Sequence, residues 1–346
     1  KVYESYDHLL DYQSDIIKNA KNNLIRTSVI TADRLVSSLI AGELDLHIHN
    51  KTLEEFIKKN ITRDSELQNE IILCLEGFKA NASNNVRNEQ QKQAAKYLSD
   101  EEIGVAVLNG AAGCGKTKIA LEWALNIDAK QIIWVCPRVA IAQGLFKDLT
   151  SKEYLPNATI ELHTGEFKYT NKNQDLSETD YFRGDIVLTT VDQIVNAITT
   201  HKNISTLAIF MNATVVFDEF HEYIPMSGFN ILFAELIECK KMQQDDYRTM
   251  PNTLLVSATP NYYFTEQFLG IRKSDIRGID SFNDKVYQIE FVSYDEKIED
   301  EKNPMYQSVE KNSFVISNTA ITAQKSFIDN QEKENSLLAH SKFTLE

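Results

Sequence analysis

At the usual scale of about 150 residues per domain, 346 residues predict roughly two domains. Hydrophobic residues make up 42% of the chain, which excludes wholesale disorder, and no apolar run reaches the ~18 residues of a membrane span. A formal net charge of −14 excludes a surface coated in positive charge, but leaves room for one basic or amide-lined groove on an acidic body.

No charged-then-apolar leader opens the chain, and the four cysteines form no Cys-x-x-Cys pair and no disulfide framework. A reducing, cytoplasmic setting without a membrane is therefore expected. The chain begins at Lys1 rather than Met and stops at Glu346 after an apolar-then-polar segment, so it reads as part of a longer polypeptide.

Residues 1–85 read as helical. Ile16-Ile17, Leu24-Ile25, Val29-Ile30, Leu35-Val36 and Leu39-Ile40 recur at three- and four-residue steps, with no Pro or Gly before Gly42. The polar cluster Asn81-Ala-Ser-Asn-Asn85 marks a boundary. Beyond it, β-branched runs at Val105–Leu108, Gln131–Cys136, Thr159–Leu162, Ile186–Thr189, Thr214–Phe217 and Thr253–Val256 alternate with helical stretches such as Thr117–Leu125 and Ala140–Leu149. The alternation predicts an α/β domain over 86–283, a mostly parallel sheet with helices on both faces. A further unit is expected over 284–346, with strands at Gln288–Val292 and Ser313–Ile316 and a helix at Ala320–Ile328. The polar runs Lys172–Asp180 and Asp295–Lys302 read as solvated loops.

Two motifs carry chemistry. Gly110-Ala-Ala-Gly113-Cys-Gly115-Lys116-Thr117 matches the G-x-x-x-x-G-K-[ST] phosphate loop, between a predicted strand and a predicted helix. Its glycines let backbone N–H groups turn toward a phosphate. Lys116 reaches the β and γ phosphates, Thr117 ligates Mg²⁺, and the helix points its positive end at the anion. Downstream, the strand Thr214–Phe217 delivers Asp218 and Glu219 at its carboxyl end, the edge of a parallel sheet where ligands bind. Asp218 is placed to hold Mg²⁺ and Glu219 to take a proton from the attacking water. These residues predict ATP and Mg²⁺ as ligands. Neighbouring Glu222 has no role in this reading, and His47-Ile-His49 reads as an exposed loop pair.

With these residues in place the chain resembles a superfamily 2 helicase of the DExH type, with a P-loop fold resembling RecA. Gly110–Thr117 matches motif I, Asp218-Glu219-Phe220-His221 motif II and Ser257-Ala258-Thr259 motif III. The resemblance implies that His221, Ser257 and Thr259 couple nucleotide state to the bound strand. Arg87-Asn-Glu-Gln90-Gln91 resembles the adenine-reading Q motif, in a register that leaves Gln90 and Gln91 as alternatives. Cys136-Pro137-Arg138 resembles motif Ia, and Thr189-Thr190-Val191-Asp192-Gln193 a second backbone-contacting motif. Pro137, Arg138, Thr189 and Thr190 are the implied contacts to single-stranded DNA.

The Thr-x-Asp-Gln element, and Leu337-Leu-Ala-His340-Ser341-Lys342-Phe343 after Asn318-Thr319, resemble the CRISPR type I helicase–nuclease. That family implies recruitment by the Cascade surveillance complex, with other CRISPR proteins or inhibitors as further partners. It also implies a histidine–aspartate (HD) nuclease domain before the motor, holding a divalent transition metal. Leu24 to Ser37 resembles the last helix of such a domain, with Asp33 as a metal ligand.

The chain departs from this family at both ends. It contains no His-Asp dipeptide, and His8 alone remains as a further histidine ligand of the nuclease centre. No arginine follows Arg277, so the arginine finger of a second motor domain, worth about 10³-fold or more, lies outside it. The second motor domain, 284–346, is thus expected to be incomplete, and the isolated chain to bind ATP but hydrolyse it poorly. Two other readings stay open: another superfamily 2 motor, acting on RNA or serving a restriction enzyme, and a nucleotide-dependent docking module without unwinding.

Overall fold

Continuous burial decides the sheet. In the computed structural model, which describes residues 12–40, 42–62, 65–80, 85–172, 181–200, 204–226, 228–247, 252–283, 316–317, 319–329 and 337–338, six apolar runs form parallel strands. These are β1 (Ala106–Gly110), β2 (Ile132–Cys136), β3 (Ile160–His163), β5 (Ile186–Thr190), β6 (Thr214–Phe217) and β7 (Thr253–Ser257). All but β1 are buried at every position, as a parallel sheet covered on both faces requires. Two further strands, β4 (Lys168–Thr170) and β8 (Ile276–Ile279), lie at the edges of the order β4-β3-β5-β2-β6-β7-β1-β8. Among the described residues, only the β3–β4 pairing is antiparallel. Neither edge strand was expected from the sequence. Each is short and largely exposed, and β8 contains Gly278, so neither presents the apolar run by which the central strands are read.

Successive residues of each strand face opposite sides and feed two cores. Val107, Ile133, Val135, Val187, Val215, Phe217 and Leu255 join one. Ala106, Leu108, Ile132, Trp134, Ile186, Leu188, Val216, Leu254 and Val256 join the other.

The helices are α1 (Gln13–Ser37), α2 (Glu43–His49), α3 (Leu53–Ile61), α4 (Leu67–Ala80), α5 (Asn85–Leu98), α6 (Lys116–Asn126), α7 (Val139–Leu149), α8 (Val191–Thr200), α9 (Ile204–Asn212) and α10 (Phe229–Tyr247). Among the described residues, none is long and apolar enough to cross a membrane. The polar cluster near residue 81 does not divide compact units, because Lys1–Asp284 form one. The reason is packing. Ile16 and Ala20 of α1 enter the first core, and Leu67, Ile71 and Leu75 of α4 enter the second. His47 and His49 end α2 instead of lying in a loop; His47 Nδ1 shares a 2.9 Å hydrogen bond with Thr52 Oγ1.

Helix α1 is tied to α10 by polar contacts as well. Asn19 Nδ2 donates to Glu235 Oε1 at 2.8 Å, and Cys239 Sγ donates to Ala20 O at 3.5 Å. Burial pushes the Glu235 carboxyl above its ordinary value, opposed by the Asn19 hydrogen bond. An acid with a raised folded pKa favours folding fully below its unfolded pKa and loses that contribution as pH rises through the folded value. At pH 7 the ionised form therefore weighs against folding. Glu235→Gln keeps the acceptor and removes the charge, so it should raise the thermal midpoint at pH 7 by about 1–2 °C, as small single substitutions do. The gain should vanish in acid, which melting curves across pH would show.

The second compact unit is Lys285–Glu346. Its described helix, α11 (Ala320–Asp329), is capped by Thr319, whose Oγ1 accepts from Thr322 N–H at 3.1 Å. The expected strands at Gln288–Val292 and Ser313–Ile316, apart from non-strand Ile316, lie outside the described residues, as do His340–Phe343 and His8.

Candidate nucleotide site

Strand β1 ends in Gly110, and α6 begins at Lys116, so the intervening turn sits at the carboxyl edge of the sheet. Gly113 and Gly115 adopt φ of +79° and +85°, a left-handed backbone that side chains resist. Gly110 is fixed by space: a Cβ there would stand 2.8 Å from Cys114 Sγ and 2.9 Å from Lys116 Cγ. The first bond of α6 runs from Ile119 N–H to Gly115 O at 3.1 Å. The preceding N–H groups, including those of Lys116 and Thr117, thus lack helical partners and bear the positive end of the helix. Thr117 is half-buried in that first turn.

The same edge carries the carboxylates. Asp218 N–H donates to Val135 O at 2.8 Å, and Asp218 Oδ1 accepts from Glu219 N–H at 3.1 Å. Glu219 holds a left-handed φ of +44° and forms an ion pair with the Lys116 ammonium. Lys116 and the Asp218–Glu219 pair, 103 residues apart for Lys116 and Glu219, thus share one site. Burial first, and then the Glu219 charge, push the Asp218 carboxyl upward, while Lys116 opposes them. Burial, and then the Asp218 charge, push the Cys136 thiol well above its ordinary value.

Glu219 also meets the third motif. Its Oε2 accepts from Ala258 N–H at 3.4 Å and lies 3.4 Å from His221 Nδ1. His221 Nδ1 and Ser257 Oγ are 2.9 Å apart, and Ser257 Oγ accepts from Thr259 N–H at 3.0 Å. Asn109 Nδ2, one residue before the loop, donates to Tyr262 OH at 2.6 Å.

The two candidate adenine readers separate. Gln90 is exposed, whereas Gln91 is buried and donates from Nε2 to Cys114 O at 2.7 Å. Pro137 is half-buried and Arg138 exposed at the start of α7. Arg138 Nε donates to Glu222 Oε2 at 3.0 Å and its Nη2 lies 2.9 Å from the same oxygen, giving Glu222 a partner that sequence reading missed. Only the fold brings these two charges together, 84 residues apart.

Thr189 and Thr190 end a central strand and are buried, and exposed Asp192 follows them. Asp33 is exposed on α1, and among the described residues no three His, Cys, Asp or Glu side chains cluster to hold a metal. The described residues therefore do not fit the transition-metal centre of an HD nuclease.

No curated protein matches the chain. Among solved structures, the DUF1998 helicase MrfA bound to DNA is 21% identical over 63% of this chain and 30% of its own, with a TM-score of 0.43. The Pyrococcus furiosus Hef helicase domain is 15% identical over 56% and 38%, TM-score 0.40. The DEAD-box helicase Mss116 bound to ssRNA and UDP-BeF is 16% identical over 68% and 45%, TM-score 0.40. The chain thus spans less than half the length of each. Residues 88–268, more than half of the chain, match the DEAD/DEAH box helicase family, and those bounds enclose the phosphate loop, the acidic pair and the Ser257–Thr259 turn that meet around Glu219; the chain belongs to that family.

Proposed function

We propose that this chain is the ATP-driven motor of a translocase that moves along single-stranded DNA, within the CRISPR type I helicase–nuclease group recruited by Cascade. The observation that carries the motor reading is the convergence of Lys116, Asp218, Glu219, His221 and Ser257 at one sheet edge. The narrower identity rests on the resemblance of Thr190–Gln193 and of the Leu337–Phe343 segment. Nuclease action is not assigned to the described residues, which lack the metal cluster it needs.

The donor set fits a magnesium nucleotide: a glycine cradle, a lysine, a threonine hydroxyl and a buried carboxylate. Thr117 and Asp218 would hold Mg²⁺, which when bound draws charge from the β and γ phosphates. The N–H groups at the start of α6 bind the phosphates, and Lys116 turns from Glu219 to meet them. Glu219 then accepts the proton of the water that attacks the γ-phosphorus, as the bond from that phosphorus to the β–γ bridging oxygen breaks and ADP leaves. His221, touching both Glu219 and Ser257, carries the change to the third motif.

On this reading Arg138 contacts the DNA backbone, and a phosphate must displace Glu222 from it. Titration with a labelled single-stranded oligonucleotide should show binding that weakens with salt. Glu222→Gln should tighten that binding about threefold and steepen the salt slope by about one, the increment of one phosphate contact. Absence of oligonucleotide binding by the wild type would overturn the motor reading. A preference for RNA, or no retention by immobilised Cascade, would overturn the narrower one.

A further inference from the structure

The phosphate loop is held from outside by α5. Arg87 Nη2 donates to Gly113 O at 3.2 Å and Gln91 Nε2 to Cys114 O at 2.7 Å. Gln91 is 2% exposed, and its other amide atom, Oε1, accepts from Lys118 Nζ at 2.8 Å. Lys118 is itself buried, 8% exposed, and donates equally to Asn88 Oδ1 at 2.8 Å. Gln91 fills its space tightly, since a Cβ on Gly115 would stand 2.4 Å from its Nε2.

We infer that Lys118 is a positioning residue of the nucleotide site, setting the orientation of the Gln91 amide and through it the peptide between Cys114 and Gly115. The inference rests on reading Gly110–Thr117 as a nucleotide cradle. A carboxamide can present either end to a neighbour, but an ammonium only donates. Facing Lys118, Gln91 must offer Oε1, which leaves Nε2 for the Cys114 carbonyl. In a trans peptide the C=O and the following N–H point in opposite directions. Holding Cys114 O outward therefore directs Gly115 N–H inward, toward the place a phosphate takes. Without Lys118 the amide is free to turn, Oε1 would oppose Cys114 O, and two acceptors would push the peptide out of line.

Gln91→Glu separates positioning from mere packing. Its carboxylate keeps the contact to Lys118 yet offers only an acceptor to Cys114 O. ATP affinity, measured by titration with a fluorescent nucleotide, should fall about tenfold, at the low end of what supporting partners of a site cost. Hydrolysis at saturating ATP should change less than about threefold, and the melting temperature without nucleotide should not fall. Lys118→Met should lose similar affinity in the wild type but none further on a Gln91→Ala background, because it acts through Gln91. Unimpaired affinity in Gln91→Glu, or an undiminished effect of Lys118→Met without Gln91, would overturn the assignment. Failure of the wild type itself to bind ATP would instead remove the cradle reading beneath it.

Discussion

Glu219→Gln is expected to slow ATP turnover by about 10³-fold while leaving ATP affinity intact or improved. The loss is the magnitude ordinarily supplied by a positioned general base. Preserved binding follows from the ion pair. Without nucleotide, the Lys116 ammonium lies on the Glu219 carboxylate, so incoming phosphates must compete for it. Glutamine keeps the shape and a carbonyl for Ala258 N–H but surrenders the charge, so Lys116 is released more easily. Lys116→Ala should give the complementary outcome, an ATP affinity reduced beyond ready detection, since on this reading the cradle then lacks the cation that reaches the terminal phosphates. Nucleotide titration and phosphate release on the two variants check this. Normal hydrolysis by Glu219→Gln would overturn the base assignment, and unchanged binding by Lys116→Ala would overturn the cradle.

What could be read without coordinates follows the range of the forces involved. The central strands announce themselves because burial on both faces demands unbroken apolar runs, and Thr214–Phe217 was legible to the residue. The phosphate loop is legible because its chemistry sits in eight consecutive positions. Contacts made by folding alone are not. Arg138 and Glu222 each look like isolated surface charges, and β8 becomes a strand only because β1 offers it an edge. The burial of Thr189 and Thr190 depends on the position of β5 between β3 and β2, which no local pattern reveals. Likewise the periodicity of α1 shows a helix with an apolar face but not what covers it. The covering is the sheet's own core, where Ile16 and Ala20 sit.

The same limit hides the contact expected to matter most for stability. Lys240 reads as one of many charges along α10, yet it is fully buried. Its Nζ donates to Phe210 O at 3.2 Å, Met211 O at 2.9 Å and Ala213 O at 2.8 Å, and the ammonium lies 5.6 Å from the Phe210 ring centre. These carbonyls lie at and just beyond the end of α9, where the helix dipole is negative and acceptors go unpaired. Lys240→Met preserves length and apolar stem but removes all three donors. Each orphaned buried acceptor costs about 1–3 kcal/mol, and relief from burying the ammonium offsets part of that, leaving a net loss of about 3 kcal/mol. The thermal midpoint should fall by roughly 6–10 °C. Because α10 also supports the acidic pair, with Phe233 packed on Phe217 and Phe220, ATP affinity should survive well below that midpoint and disappear with the fold. A calorimetric midpoint within about 1 °C of wild type would show that the end of α9 does not depend on this lysine.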